Sequence, residues 1–206
     1  DIIRNEVIET IGFRNNYIQS WYETDDLIAM IVLHRPELDS IIVTRDNDFL
    51  QLLNFADMFD PQSKKLITKS DFQKKWGIDP DLWAEVKAIA GCKSDCIPGI
   101  SGVGEPTAIK YIKGKLNPNY ATYRSIVQGK DVIERNRKLV TLPYPGTKLF
   151  VIKEDAFNFD DFHFICNKYA LDYFLKPSQL NWWRGFFEGF GYNDNKSYSD
   201  GLKLAI

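Results

Sequence analysis

The sequence predicts an α/β protein with a parallel central sheet flanked by helices, followed by a mostly helical region. Three observations carry this. Short β-branched runs alternate with helical apolar spacings through the first ninety residues, as in a parallel sheet with crossover helices. Past Gly91 the alternation gives way to helices separated by Gly and Pro. The 206 residues, 44% hydrophobic and 14% aromatic, can bury one sizeable core but not two full domains.

Taken in order, Ile2, Ile3, Val7, Ile8 and Ile11 have helical spacing, and Gly12 stands where a C-cap belongs. Residues 13–19 read as a short strand. Residues 23–33 read as a helix whose first turn carries Glu23, Asp25 and Asp26. The β-branched run at 40–44 suits a buried parallel strand, and 49–53 begins another helix. Residues 56–59 and 64–68 read as strands joined by a turn through Asp60, Pro61 and Gln62. Ser70 is expected to cap a helix running toward Trp76, and Asp79-Pro80 to open the next. These readings place a boundary near residue 90: a metal-binding core over 1–90, a helical region over 91–192 and a polar tail over 193–206.

Composition narrows the function classes. The longest apolar run, 27–33, is far short of the roughly 20 residues of a membrane helix, and no charged-then-apolar leader opens the chain, so membrane and secretory roles are not expected. Three cysteines, Cys92, Cys96 and Cys166, suit a reducing compartment better than a disulfide framework. Asp1 rather than Met comes first, from which a fragment or processed chain is expected.

The net charge of −2 hides an uneven distribution. Residues 106–153 hold ten basic residues against Asp131 and Glu134, a local excess of +8. Acid collects instead at Glu23, Asp25 and Asp26 and at Asp46 and Asp48. A carboxylate focus beside a cationic stretch suits metal ions at the first and a polyanion at the second; solvated helix faces are the plainer alternative.

Asp46 and Asp48 follow the strand Ile41-Ile42-Val43-Thr44 at its carboxyl end, where open α/β sheets display their ligands. If the strand before Glu23 is its neighbour, five carboxylates converge, and so much charge calls for divalent cations. Oxygen-only ligands favour magnesium or manganese over zinc. Separately, Ile97-Pro98-Gly99-Ile100-Ser101-Gly102-Val103-Gly104 precedes a helix expected over 106–112. Such a turn lets backbone approach phosphate and aims helix N-terminal amides at it. Lys110 and Lys113 lie one and two turns on.

These blocks resemble the 5′-nuclease, or flap endonuclease, superfamily of the bacterial polymerase-associated and bacteriophage type. The resemblance runs through Tyr22-Glu23-Thr24-Asp25-Asp26-Leu27-Ile28-Ala29, Thr44-Arg45-Asp46-Asn47-Asp48-Phe49-Leu50-Gln51-Leu52-Leu53, Gly91-Cys92-Lys93-Ser94-Asp95 and the glycine hairpin. Asn136-Arg137-Lys138-Leu139-Val140-Thr141-Leu142-Pro143 is also similar. It implies a PIN-like nuclease core followed by a DNA-binding region with a helix-hairpin-helix-like element. It also implies magnesium-dependent hydrolysis of phosphodiesters near a 5′ end, at a flap or junction, or in an RNA–DNA hybrid. Glu23, Asp25 and Asp46 would hold one Mg2+ or Mn2+ ion, and Asp48 and Asp95 would help to hold a second, with Asp26 close by. Two such ions activate the attacking water and stabilise the leaving oxygen. Gly99, Ser101, Gly102, Val103, Gly104 and Thr107, with Lys110 and Lys113, would grip the DNA backbone. Main-chain carbonyls around Ser101 and Val103 would bind K+.

The chain departs from the family pattern at Cys92, where Asp is usual; at Cys96, where Asn is frequent; and at Pro106, where Lys or Arg is common. A further metal-binding Asp and a basic helical arch would lie before Asp1. The segment Trp182-Trp183-Arg184-Gly185-Phe186-Phe187, with Phe190 and Tyr192, falls outside the resemblance. Packing of a C-terminal helix is its plainer reading, and docking of a replication protein the sharper one. The implied setting is the cytoplasm of a bacterial or phage-infected cell.

Overall fold

A computed structural model describes residues 1–190 and 204–205. In chain order, a π-helical stretch Ile3–Ile8 continues into α1 (Glu9–Ile11), then α2 (Thr24–His34), β1 (Ser40–Val43), a 3-10 helix Asn47–Leu52, β2 (Asp57–Asp60) and β3 (Lys65–Ile67). There follow α3 (Lys69–Trp76), a 3-10 turn Pro80–Leu82, α4 (Trp83–Ala90), β4 (Gly91–Cys92) and β5 (Ile97–Pro98). The rest comprises α5 (Glu105–Ile112), α6 (Ala121–Gln128), α7 (Lys130–Val140), α8 (Phe159–Lys168), α9 (Pro177–Phe190) and β6 (Leu204–Ala205). Tyr192 and residues 193–203 of the expected polar tail lie outside the described residues.

The chain forms two compact units, 19–149 with 203–206 and 1–18 with 150–202. Residue 90, where the sequence places a boundary, falls inside the larger one. Helix α4 ends there and packs against both α5 and α7, so the residues before and after it share one core. That core includes Trp83, Val86, Ala88 and Ile89 from α4, Ala108 from α5 and Ile133 and Val140 from α7.

The sheet of the larger unit runs β3-β2-β1-β6 and is mixed rather than all-parallel. β1 pairs parallel with β2, Ile42 opposite Met58, and parallel with β6; β2 pairs antiparallel with β3. The β2–β3 turn explains the reversal. An Asp60 carboxylate oxygen accepts from the Gln62 and Ser63 amides at 2.8 and 3.3 Å, and so short a connection can only return the chain antiparallel. The cap of α3 is Thr68 rather than Ser70: Thr68 Oγ1 accepts from the Asp71 amide and Asp71 returns the bond to the Thr68 amide, a reciprocal pair. The helix expected at 49–53 is the tighter 3-10 form over Asn47–Leu52.

Trp83, 1% exposed, anchors the core. Its ring meets Phe72 edge-on at 5.5 Å, and its indole N–H donates to the Asn47 carbonyl at 2.8 Å. The side chain whose truncation typically costs about 3–5 kcal/mol thus also holds down the loop that carries Asp46 and Asp48.

In the smaller unit, residues 13–18 of the strand expected at 13–19 form no ladder. The Asn15 side chain donates to the Lys153 carbonyl at 2.7 Å and accepts from its amide at 2.8 Å, and Tyr17 donates to the Val151 carbonyl at 2.6 Å. Side chains make the bonds that a strand would make through its backbone. The helix read at 2–11 does end at Gly12, which has φ +108°. Phe162, Cys166 and Phe187 are buried together with Trp183, Phe174, Phe157 and Ile11 around them. Trp183 and Phe187 therefore pack the C-terminal helix, as the plainer reading had it, whereas Trp182 is 58% exposed. No helix among the described residues is long and apolar enough to cross a membrane.

Candidate metal centre

Two chain segments and one loop converge at the carboxyl end of β1. The first is the start of α2. Glu23 is its N-cap in extended conformation, and Glu23 and Asp26 form a reciprocal capping box. Asp26 is 6% exposed; one carboxylate oxygen accepts from the Glu23 amide at 3.2 Å and the other from the Tyr144 amide at 2.7 Å. With both oxygens on backbone amides, Asp26 serves as an anchor of the site. Asp25, one residue earlier, is half-buried and free of that duty.

The second segment is the β1 exit. The Thr44 amide donates to the Phe59 carbonyl at 3.0 Å, which extends the pairing with β2 by one residue. Thr44 Oγ1 accepts from the Asp46 amide at 3.0 Å, and the Asp46 carboxylate accepts from the Asp48 amide at 2.8 Å. This turn sends Asp46 outward and Asp48 inward, toward α4.

The electrostatics show how close the groups lie. Burial pushes Asp25 up to about 6, and the charges of Asp46, Glu23, Asp48 and Asp26 push in the same direction. Burial likewise raises Asp48, against the hydrogen bond and charge of Lys87, while Asp46 and Asp95 add to the rise. Lys87, 8% exposed, lies 2.9 Å from an Asp48 oxygen. Burial works to lower its titration point, and the bond to Asp48 outweighs that and holds it above the ordinary lysine range. Asp48, Cys92 and Asp95 bring one ligand atom each within 4.8 Å of one another. Glu23, Asp25, Asp46, Asp48 and Asp95 thus form one field of negative charge with one ammonium inside it.

The loop from β4 to β5 carries Cys92 and Asp95 and leads into the hairpin. A Cβ on Gly91 would stand 2.3 Å from the Gly99 nitrogen, and one on Gly99 2.1 Å from the Ala90 carbonyl group. These two glycines pack backbone against backbone, so Gly99 shapes the hairpin from within. Gly102 differs: its φ is +75° and nothing lies within 4 Å of its Cβ position. Ser101, Gly102 and Gly104 are exposed, while Val103 is buried and its amide donates to the Ile100 carbonyl at 3.0 Å. Thr107 is part-buried in the first turn of α5 and its amide donates to the Gly104 carbonyl. Lys110 is exposed; Lys113 directs its ammonium to Gly77 at the C-terminal end of α3.

Sequence reasoning passed over Lys87, Gln51 and Asn136. Gln51 donates to the Asp48 and Val140 carbonyls at 2.8 and 3.1 Å and accepts from the Leu142 amide at 3.0 Å. Asn136 has no exposed surface and donates to the carbonyls of Ala88 on α4 and Pro98 on β5, at 3.0 and 2.9 Å. The signal available for all three was a polar residue at a position where helical spacing calls for an apolar one.

No protein-family model matches the chain. It is 31% identical over 155 residues to a 5′-3′ exonuclease of Halalkalibacterium halodurans, covering 66% of this chain and 51% of that one. Over 151 residues it is 34% identical to the 5′-3′ exonuclease of Bacillus subtilis, covering 66% and 49%. A thermostable DNA polymerase I of Thermus filiformis is 36% identical over 93 residues, 44% of this chain and 11% of the polymerase. Among solved structures, the 5′-exonuclease of bacteriophage T5 shares the fold at a TM-score of 0.55, with 22% identity over 62% of this chain and 58% of that one. In sequence the chain is thus similar to 5′-nuclease superfamily proteins, and in fold to the phage 5′-exonuclease. It spans about half the length of the exonuclease relatives. Other solved forms of the phage enzyme carry zinc, or DNA with metal ions.

Proposed function

We propose that this chain is a 5′-nuclease that hydrolyses DNA phosphodiesters near a 5′ end or at a branched junction, with divalent cations held by its carboxylates. The observation that carries the reading is the convergence of Glu23 and Asp25 from the start of α2 with Asp46 from the β1 exit, in a fold of this family. Burial, with the charges of the neighbouring carboxylates adding to it, pushes Asp25 up to about 6, and cations beside such a group offset both effects. An all-oxygen donor set fits magnesium or manganese.

When bound, such ions supply electrostatic stabilisation of the phosphoryl charge and activation of water. The chain's own residues supply the positioning. Asp26 and Gln51 fix the two carboxylate-bearing segments to 140–144, and Trp83 fixes the loop between Asp46 and Asp48. Asp48 and Asp95 form the second side of the centre. On the DNA side, Ser101, Gly102 and Gly104 present open backbone, Lys110 extends the contact along the strand, and the carbonyls of Ser101 and Val103 are the proposed potassium ligands. RNA primers are a further proposed substrate, and replication proteins are proposed partners at the exposed Trp182.

The test is cleavage of a labelled 5′-flap DNA with magnesium, beside a binding assay in chelator. Cleavage that disappears in Asp46→Asn while affinity changes less than about twofold is the expected result; a factor of two is about 0.4 kcal/mol. Unchanged cleavage in Asp46→Asn would overturn the site assignment. Binding without cleavage by the parent chain would instead favour a module that holds junctions without cutting them.

A further inference from the structure

The two sides of the centre differ in donor chemistry, and this bears on which cations it takes; the inference rests on reading the carboxylates as a cation centre. Glu23, Asp25 and Asp46 offer oxygen alone. On the other side, Asp48 and Asp95 stand with Cys92, which is 4% exposed and shares a 4.8 Å ligand cluster with them. The Cys92 sulfur lies 3.0 Å from Ser94 Oγ and 3.6 Å from the Lys87 ammonium.

This set does not fit magnesium. Mg2+ demands near-octahedral oxygen at about 2.1 Å and gains little from sulfur, and the Lys87 ammonium already occupies one oxygen of Asp48. It does fit an ion of the zinc, cobalt(II) or cadmium class, which binds thiolate together with carboxylate in tetrahedral sites. The charge count agrees. Two carboxylates and a thiolate against one ammonium leave two negative charges, which one divalent ion neutralises. With the thiol still protonated only one negative charge remains, so binding must release the Cys92 proton to the buffer as the sulfur–metal bond forms.

We infer that Asp48, Cys92 and Asp95 form a mixed sulfur–oxygen site that takes zinc-class ions in preference to magnesium, beside an all-oxygen site at Glu23, Asp25 and Asp46. The centre then carries two chemically different cations, and its second side responds to thiophilic metal at concentrations where magnesium leaves it empty.

Cobalt(II) titration of the whole chain in excess magnesium tests this by absorbance. A sulfur-to-cobalt charge-transfer band should appear in the parent chain and in Cys96→Ser, and be absent in Cys92→Ser and Cys92→Asp. Outer-shell partners alone are worth roughly 10–100-fold in metal affinity, so losing the sulfur ligand should weaken cobalt binding at least about tenfold, and Cys92→Asp should bind magnesium correspondingly better. Should these variants fail to fold, cadmium NMR of the parent chain decides: a resonance in the sulfur-ligated range supports the inference. Cobalt or cadmium binding with no sulfur signature, or a band that survives Cys92→Ser, would overturn it. The absence of any calorimetric heat with cobalt, manganese or magnesium would instead overturn the reading of the whole centre as a cation site.

Discussion

The carboxylate centre and the glycine hairpin lie in the same compact unit and are built on opposite principles. At the centre, side chains form the site and hydrogen bonds to the backbone hold them: Asp26, Asp46 and Gln51 each spend hydrogen bonds on fixing neighbouring chain. At the hairpin, exposed backbone faces outward, and what matters is which glycines have room. Gly99 has none, whereas Gly102 has open space and a left-handed conformation. Neighbouring glycines of one motif thus answer to different constraints, one to packing and the other to access.

Substitutions can break this contrast or sharpen it. The largest effect is expected at Gly99→Val. A side chain there meets the Ala90 carbonyl group at 2.1 Å, so thermal denaturation should show a loss of at least about 3 kcal/mol, the upper end of overpacking costs. Next comes Asn136→Ala, which strips two carbonyls of their donor, a buried one on α4 and a part-buried one on β5. About 2–3 kcal/mol should be lost in chemical denaturation, and DNA affinity should fall too because α4 and the hairpin lose their common tie. Gly102→Ala reverses the balance. It should cost about 1–2 kcal/mol for the left-handed backbone, with the chain still folded and its affinity for duplex DNA reduced in a gel-shift assay.

The smallest effect concerns pH. The folded chain holds the Asp25 proton more tightly than the unfolded chain does, at about 6 against 3.8. Measured in chelator, the stability of the parent chain relative to Asp25→Asn should therefore fall as pH rises through that interval and level off above it. Asp25→Asn should remove this contribution and raise stability at pH 7 by on the order of 1 kcal/mol, discounted for partial exposure. An unchanged slope would mean that Asp25 is not the crowded carboxylate.

Much of this was legible from residues alone. The β-branched run at 40–44 located the strand, which the structure ends at Val43, and Asp46 and Asp48 followed from where α/β sheets expose their ligands. The start of α2 was marked by its acids, though nothing in the order Glu23, Asp25, Asp26 reveals that the third is turned inward onto the Tyr144 amide. The parallel sheet was over-read, because a β-branched run does not disclose the direction of its partner; the Asp60 turn decides it for β3. The strand at 13–19 failed for a related reason, since Asn15 and Tyr17 bond through side chains that periodicity ignores. Lys87 and Asn136 were invisible because a polar residue in an apolar stripe has meaning only once its partner, distant in sequence, is known.

The hydrogen bonds that steady the site also set when it can exist. Asp26 waits for Tyr144, 118 residues on; Gln51 for Leu142, 91 residues on; and Ala88 for Asn136, 48 residues on. Contacts of such span form late, since loop-closure entropy opposes them until most of the chain is available. During synthesis, a nascent chain that has not yet emerged past residue 144 carries every carboxylate of the centre without the ties that aim them. On the proposed function, cutting competence waits until the chain past residue 144 is available to make these ties.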